Sequence, residues 1–137
     1  NQQYRHFFLN RTADLLNTVF EKERMLARID SFETLYLPEI EQHFERWFFS
    51  PGWLSFWKGN VEVMRNFAAL RADYCFEHVL ETFPEAGAVA QVSLAVHPPE
   101  AGSIYFSTLQ FDTAHLPWQG RYFEGIPIPV KALAKPG

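Results

Sequence analysis

The acidic and histidine side chains that could ligate a metal ion lie in small groups along the chain. Glu39 and His43 are four residues apart, so on a helix they would share one face and could hold one metal ion. An exposed helix face with a single ion pair has the same spacing, and we favour that interpretation. Glu77, His78 and Glu81 lead to the same conclusion. The sequence therefore predicts no metal site.

A nucleophilic site would need a serine or a cysteine that a histidine activates. The single cysteine, Cys75, has His78 three residues further along, but it lies between Tyr74 and Phe76 in an apolar helical run. That setting is typical of a buried and unreactive thiol. No Gly-x-Ser-x-Gly sequence marks a serine nucleophile. We therefore predict no catalytic residue.

Phosphoryl transfer would need a phosphate cradle, a positive charge on the phosphates and carboxylates that hold Mg²⁺. The 7 glycines are scattered at breaks and turns, and neither an Asp-Phe-Gly nor a His-Arg-Asp sequence occurs. The chain by itself is therefore predicted to bind no cofactor, and in particular neither ATP nor Mg²⁺.

Two clusters of aromatic residues are candidates for binding a partner. Trp53 lies at a predicted helix start, whereas Trp118, Tyr122 and Phe123 flank a predicted turn. Exposed aromatic rings with polar neighbours can stack on sugars or grip a protein. The same rings could instead hold a β segment against the helices, and we favour this alternative because a small sheet needs such a cover.

Composition and charge narrow the classes of partner. The 137 residues are 47% hydrophobic and 17% aromatic, which is enough to build the core of one ordinary domain or two small ones. The net charge of -4 argues against a nucleic-acid partner. Neither a run of about 18 apolar residues nor a cluster of Lys and Arg is present, so no membrane partner is predicted.

The elements that must position these residues begin with helices. A first helix is predicted over residues 3–19, with Tyr4, Phe8, Leu15 and Val19 as its apolar stripe and Asp14 on another face. More helices are predicted over about 21–35, from 38 to the break at 50–52, and over about 53–70 and 72–83. The last two are open to being one helix with a bend near residue 73.

The core of the helical part is predicted from apolar residues at helical spacing. Trp47 and Phe67 are both placed in this core, so removal of either ring is expected to unfold the helices. Gly59 costs a helix interior about 1 kcal/mol. Its presence predicts close packing of another helix at that position.

From residue 88 the hydrophobic period falls to two. Strands are predicted over 89–96, 104–106, 109–111, around 118–125 and over 128–134, with a turn at 98–102. The predicted fold class is α+β, with a bundle of four to five helices over residues 1–84. A small antiparallel β segment of about four strands, a partial sandwich, follows over residues 88–137. We expect this β module to continue beyond Gly137.

Short stretches spread over nearly the whole chain form a recognisable pattern. In the helical part they are Tyr4 to Arg11, Asp14 to Phe20, Met25 to Asp30, His43, Arg46-Trp47, Trp57 and Phe67 to Arg71. In the β part they are Gly102, Ser107-x-Leu109, Pro117-Trp118-x-Gly120-x-Tyr122-Phe123-x-Gly125 and Ala134 to Gly137. The chain thereby resembles the late part of CotH-like proteins, which are named for a bacterial spore-coat protein and known as atypical protein kinases.

The resemblance implies a place for this chain in a larger protein. The nucleotide-gripping Lys and the metal-binding Asp residues of the family would lie upstream, so ATP and Mg²⁺ are expected only there. The chain would be a non-catalytic C-terminal fragment, inactive alone, with the kinase-like lobe as its partner in cis. The resemblance also implies a bacterial protein at the cell surface, outside the cell or in the spore coat. The alternative is a free-standing β-type module that binds a glycan or a surface protein and is carried on a helical stalk.

Overall fold

The computed structural model describes residues 1–47, 52–98 and 100–135. Over these residues the chain forms three helices and then five strands, which confirms the predicted α+β class. Residues 50 and 51 of the predicted break, residue 99 of the predicted turn and the last two residues lie outside the described part. The elements are α1 (Gln2–Leu16), α2 (Lys22–Trp47), α3 (Trp53–Thr82), β1 (Val89–Leu94), β2 (Gly102–Phe106), β3 (Leu109–Phe111), β4 (Trp118–Phe123) and β5 (Val130–Ala134).

The prediction of four to five helices was wrong, because two expected breaks do not interrupt the described helices. Pro38 lies inside α2 instead of opening a new helix. Proline removes one backbone hydrogen bond of a helix, but the helical segments before and after Pro38 each span several turns, so α2 continues through this residue. The segments 53–70 and 72–83 form the single helix α3, since neither Gly nor Pro separates them.

Side chains at the helix ends satisfy backbone groups that the helices leave open. The Asn1 Oδ1 accepts hydrogen bonds from the backbone N–H groups of Gln3, at 3.0 Å, and Tyr4, at 3.4 Å, at the start of α1. The Glu21 carboxylate does the same at the start of α2, where the Arg24 N–H donates at 2.9 Å. Acidic groups are favoured at this end of a helix.

The five strands form two small antiparallel sheets, where a small antiparallel segment of about four strands was predicted. In the first sheet β1 pairs with β4, so that Val89 lies opposite Phe123 and Leu94 opposite Trp118. In the second sheet the order is β3-β2-β5, and Ile104 at its centre pairs with both Phe111 and Ala132.

Aromatic rings join the two sheets and the end of α3. The ring of Phe106 on β2 meets the edge of the Tyr122 ring on β4 at a centroid distance of 5.0 Å. Phe111 and Trp118 lie 4.5 Å apart, and Phe76 of α3 lies 5.3 Å from Phe123. Aromatic contacts of this kind stabilise beyond the area that they bury.

The described residues pack into two compact units. One, which we call the β unit, consists of residues 1–18 and 75–137, so α1 and the end of α3 pack together with the strands. The other consists of residues 19–74. A compact unit is not the same as an autonomously folding domain, so the predicted division into domains 1–84 and 88–137 stays a prediction.

The unit of residues 19–74 has a small core between α2 and α3. Ile29, Val61 and Ala68 are buried there, and Met25, Leu26 and Trp57 pack against them. Beside this core the Arg65 guanidinium donates to Asp30 at 2.7 Å and also to Glu33 and Glu62. The hydrogen bonds from Glu33 and Asp30 raise the pKa of Arg65, so the ion network stays charged.

Two predictions about this core were wrong. Trp47 and Phe67 are 61% and 60% exposed, so neither side chain belongs to the core. In α3 the buried position is Ala68, which follows Phe67 directly and faces α2. Apart from the adjoining backbone of α3 itself, no atom of the described residues lies within 4 Å of a Cβ placed on Gly59, so none of the described helices packs closely at that position.

The glycines give a matched test of the fold. A Cβ on Gly102 would overlap the Leu133 backbone, and a Cβ on Gly120 would overlap the Trp118 ring. We expect Gly102→Ala and Gly120→Ala to lower the free energy of unfolding by about 1–3 kcal/mol. Gly59→Ala, inside a helix with open space around it, should raise it by about 0.5–1 kcal/mol. Urea unfolding measures all three, and a loss at Gly59 would contradict the packing described here.

Candidate functional site

A fully buried carboxylate, that of Asp14 on α1, lies between the helix and both sheets. Its Oδ1 accepts a hydrogen bond from the Tyr122 hydroxyl at 2.6 Å. Its Oδ2 accepts from the Ser107 Oγ at 2.7 Å, the Thr108 N–H at 3.0 Å and the Thr108 Oγ1 at 2.6 Å. A buried charge is tolerated only when it is paired or hydrogen-bonded. These donors provide that compensation.

The same carboxylate fixes the tip of the β2–β3 hairpin. Phe106 pairs with Leu109, which leaves Ser107 and Thr108 as a two-residue loop. Ser107 has a φ of 56°, a conformation that is costly for a residue other than glycine. Because the Thr108 Oγ1 accepts from the Arg11 guanidinium at 2.7 Å, its own proton is directed toward Asp14.

Asp14 belongs to a row of three polar side chains at positions i, i+4 and i+7 on α1. The Asn17 side chain donates to the Arg121 carbonyl at 2.7 Å and accepts from the Arg121 N–H at 2.9 Å. The Asn10 Nδ2 donates to the Pro127 carbonyl at 2.9 Å. We call Asn10, Asp14 and Asn17 the polar row. Its two amides contact the backbone of β4 and of the following loop.

The polar row was missed from the sequence, and the apolar stripe of α1 was placed wrongly. Tyr4 and Val19 are exposed, whereas Leu9, Ala13 and Leu16 form the buried apolar face beside the polar row. Both sets repeat at helical spacing, so the periodicity did not separate them. The available signal was Asn10, Asp14 and Asn17 repeating in register with Leu9, Ala13 and Leu16.

Burial and the neighbouring Asp14 carboxylate, in that order, raise the pKa of the Tyr122 hydroxyl far above its ordinary value. The phenol therefore keeps its proton at neutral pH and donates it to Asp14. This pair is suited to holding the fold together, because a phenol with a raised pKa is a poor proton donor for catalysis at neutral pH.

A surface concavity of about 570 Å³ opens between the first turns of α1 and the Ser107–Thr108 hairpin tip. We call it the Asn10 concavity, since the buried Asn10 lies in its lining. The Asn10 Oδ1 has no hydrogen-bond partner among the described residues. An unsatisfied buried acceptor costs about 1–3 kcal/mol, which marks this amide as the most unusual polar group of the unit.

The structure places the four predicted partner-binding residues differently from one another. Tyr122 and Phe123 are 1% and 3% exposed and lie in the interior of the β unit. Trp118 is half-buried and covers Gly120, while Trp53 is half-buried at the start of α3. The rings of Trp118 and Tyr122 contact each other edge to face, with their centroids 6.3 Å apart. Partner binding by this set stays a prediction, with ring surface accessible only at the two tryptophans.

The remaining candidate features are a metal site, a membrane-spanning helix and the single thiol. Within residues 1–47, 52–98 and 100–135, no three His, Cys, Asp or Glu side chains are grouped so that they could hold a metal ion. Over the same residues no helix is both long and apolar enough to cross a membrane. Cys75 is a free thiol of intermediate burial.

Removal of the Asp14 carboxylate tests how much the fold depends on it. Asp14→Ala removes the acceptor of the buried Tyr122 hydroxyl and of the donors at the half-buried Ser107 and the exposed Thr108, so we expect a loss of about 3 kcal/mol in the free energy of unfolding. Asp112→Ala is the control, because Asp112 is an exposed carboxylate whose Oδ1 is hydrogen-bonded to the His115 ring at 2.6 Å and accepts from the Ala114 N–H at 3.0 Å, both within the same turn. Urea unfolding followed by circular dichroism compares the two. Equal losses would contradict the role of Asp14.

The raised pKa of Tyr122 predicts how stability changes at high pH. The unfolded chain loses this proton near pH 10, whereas the folded chain keeps it. The contribution of this hydroxyl to the free energy of unfolding is therefore fully present below about pH 10. Above that pH the contribution falls, by up to about 1.4 kcal/mol for each pH unit. Tyr122→Phe should be less stable than the wild type at neutral pH. Between about pH 9 and 11, however, its free energy of unfolding should fall less than that of the wild type. Unfolding curves across that range give the slopes, with Tyr4→Phe as the exposed control. Parallel slopes for wild type and Tyr122→Phe would refute the assignment.

Comparison with known proteins identifies the helical part. The model of the CotH kinase protein family matches residues 1–75. These residues include the polar row, α2 and most of α3. No curated protein and no solved structure matches the chain. Since the family match covers more than half of the 137 residues, the chain belongs to the CotH kinase family.

Proposed function

We propose that this chain is a non-catalytic C-terminal segment of a bacterial CotH-family protein. Its helices pack in cis against the kinase-like lobe, which binds ATP and Mg²⁺. In this role the segment is structural and serves for docking, and the whole protein acts at the cell surface or in the spore coat. The observation that carries the proposal is an exposed apolar row on α3.

The α3 row consists of Phe56, Val63, Phe67 and Leu70, at steps of seven, four and three residues. These steps are the ones at which contact positions recur between packed helices. All four side chains are exposed, by 51% to 65%. Single exposed apolar residues are ordinary, but a row along one helix face marks an interaction surface.

The opposite side of α3 is already used inside its unit. Val61 and Ala68 face the core with Ile29 of α2. The helix is therefore apolar on two sides, which is typical of a helix that lies between two packed layers. Burial of the α3 row would stabilise the assembly by roughly 1.5–3 kcal/mol per large side chain. A protein lobe supplies a second layer of this kind.

The alternative is a β-type module that binds a glycan or a surface protein through Trp118, Tyr122 and Phe123. It is favoured less, because Tyr122 and Phe123 are buried. Their rings contact Phe106 and Phe76, which fits the structural role of a cover better than that of a binding surface.

The α3 row can be tested in the protein that carries both the lobe and this segment. We expect Val63→Glu combined with Phe67→Glu to lower the melting temperature of that whole protein, because two charges would be buried at the contact. The 137-residue chain alone should tolerate both changes, since the side chains are exposed there. Lys58→Glu, at an exposed position two residues after Phe56 and five before Val63 and therefore off the face of the α3 row, is the control on the same helix. Differential scanning fluorimetry gives all the values.

Two results would contradict the proposal. An equal fall in the melting temperature of the whole protein for the α3-row variant and for Lys58→Glu would contradict the docking role. A reproducible rise of several degrees in the melting temperature of the 137-residue chain alone when MgATP is added would contradict the non-catalytic role.

A further inference from the structure

The residues around the α3 row give it the pattern of a helix-packing seam. Asn60 lies within the step of seven residues, four residues after Phe56, and Tyr74 follows Leu70 by four residues. Asn60 is exposed, and Tyr74 is 51% exposed. The steps along this face are therefore four, three, four, three and four residues. We call these positions the α3 seam: Phe56, Asn60, Val63, Phe67, Leu70 and Tyr74.

The spacing of the α3 seam indicates what kind of element covers it. Alternating steps of four and three residues repeat every 3.5 residues, which is the repeat at which a second helix can follow one strip of a helix surface along its length. On one side the seam is bordered by the polar residues Ser55, Glu62 and Asn66, so the apolar strip is narrow. A narrow strip suits a single helix, whereas broader apolar faces pack on a sheet or a core.

Gly59 marks a point of close approach on this face. It lies three residues after Phe56 and four before Val63, and it is exposed. A glycine inside a helix is less favourable than an alanine, because it loses more conformational freedom on folding. Apart from the adjoining backbone of α3, no atom of the described residues lies within 4 Å of a Cβ placed there, so nothing in the described part of the chain offsets this cost. A covering helix that packs on the bare backbone would offset it.

We propose that a helix of the kinase-like lobe lies along the α3 seam and comes closest to α3 at Gly59. The inference rests on the proposed function, and it adds the kind of element that covers the α3 row and the point of contact. Helices that pack with this spacing cross at about 20°, and their axes lie about 8 Å apart where small residues meet. An alanine-sized gap at Gly59 is therefore expected to be filled by the partner helix.

The α3 helix of a second copy fits the seam less well. Helices that pair in solvent carry complementary charges beside the seam. In a parallel pair of copies Phe67 would face Phe67, where two-stranded coils prefer Val or Ile. In an antiparallel pair centred on the seam Asn60 would face Leu70, and its amide would lose hydration. Between residues 56 and 70 the positions beside the seam are all uncharged: Trp57, Gly59, Met64 and Asn66.

Leucine substitutions test the contact at Gly59. In the 137-residue chain alone, Gly59→Leu should raise the melting temperature by about 2–6 °C, because leucine is a good helix former and its side chain meets open space. In the protein that carries both the lobe and this segment, the same change should lower the melting temperature by about 3–10 °C, because the side chain would occupy the space of the partner helix. Leucine is apolar, so such a fall reports its size and not the burial of a polar group.

Lys58→Leu is the matched control, since it introduces the same side chain at an exposed position off the seam. It should change either melting temperature by less than about 2 °C. Opposite shifts for Gly59→Leu in the two proteins would support the proposal. A rise in both proteins, or falls of equal size in both, would overturn it.

The variant Val63→Glu with Phe67→Glu separates this inference from the proposed function. If that variant lowers the melting temperature of the whole protein while Gly59→Leu does not, the helix contact at Gly59 is wrong and the docking role stands. If neither variant lowers it, both are wrong. A crystal structure of the whole protein with a strand or a loop against Gly59 would overturn the helix. Dimerisation of the 137-residue chain in analytical ultracentrifugation, abolished by Gly59→Leu, would assign the seam to a second copy and overturn the proposal.

Discussion

The buried carboxylate of Asp14 is the constraint on which the β unit depends. A charge of this kind is stable in the interior only when donors surround it. Its donors are the hairpin tip at Ser107 and Thr108 and the Tyr122 hydroxyl on the other sheet. One side chain of α1 therefore sets the position of both sheets, and it holds Ser107 in a conformation that the residue would otherwise avoid.

This constraint ties the helical family segment to the strands that follow it. The match to the CotH kinase family ends at residue 75, inside α3, yet α1 packs in the same compact unit as the strands. Asn10 and Asn17 contact the backbone of the β part, whereas Asp14 contacts side chains as well. Changes in the β sequence are therefore most restricted at Ser107, Thr108 and Tyr122.

The α3 row and the Asn10 concavity differ in their chemistry. The α3 row is apolar, and it suits a protein layer because burial of its side chains is favourable without further polar partners. The Asn10 concavity combines the apolar surfaces of Phe7 and two prolines with amide and hydroxyl groups and the His6 imidazole, so its surface is of mixed character. The two surfaces belong to different compact units of the chain.

The sequence by itself determined the α+β class, the family and the short strand Leu109–Phe111, because the hydrophobic period and the quoted motifs are local properties of the chain. It did not determine which face of α1 is buried. Aromatic residues lie on several faces of that helix. In addition, nothing in the sequence around Asp14 distinguishes it from an exposed aspartate. Its partners, Ser107, Thr108 and Tyr122, are more than 90 residues away in the chain. Only the tertiary structure brings them together, because the stabilisation of a buried polar group comes from distant donors and leaves no local pattern.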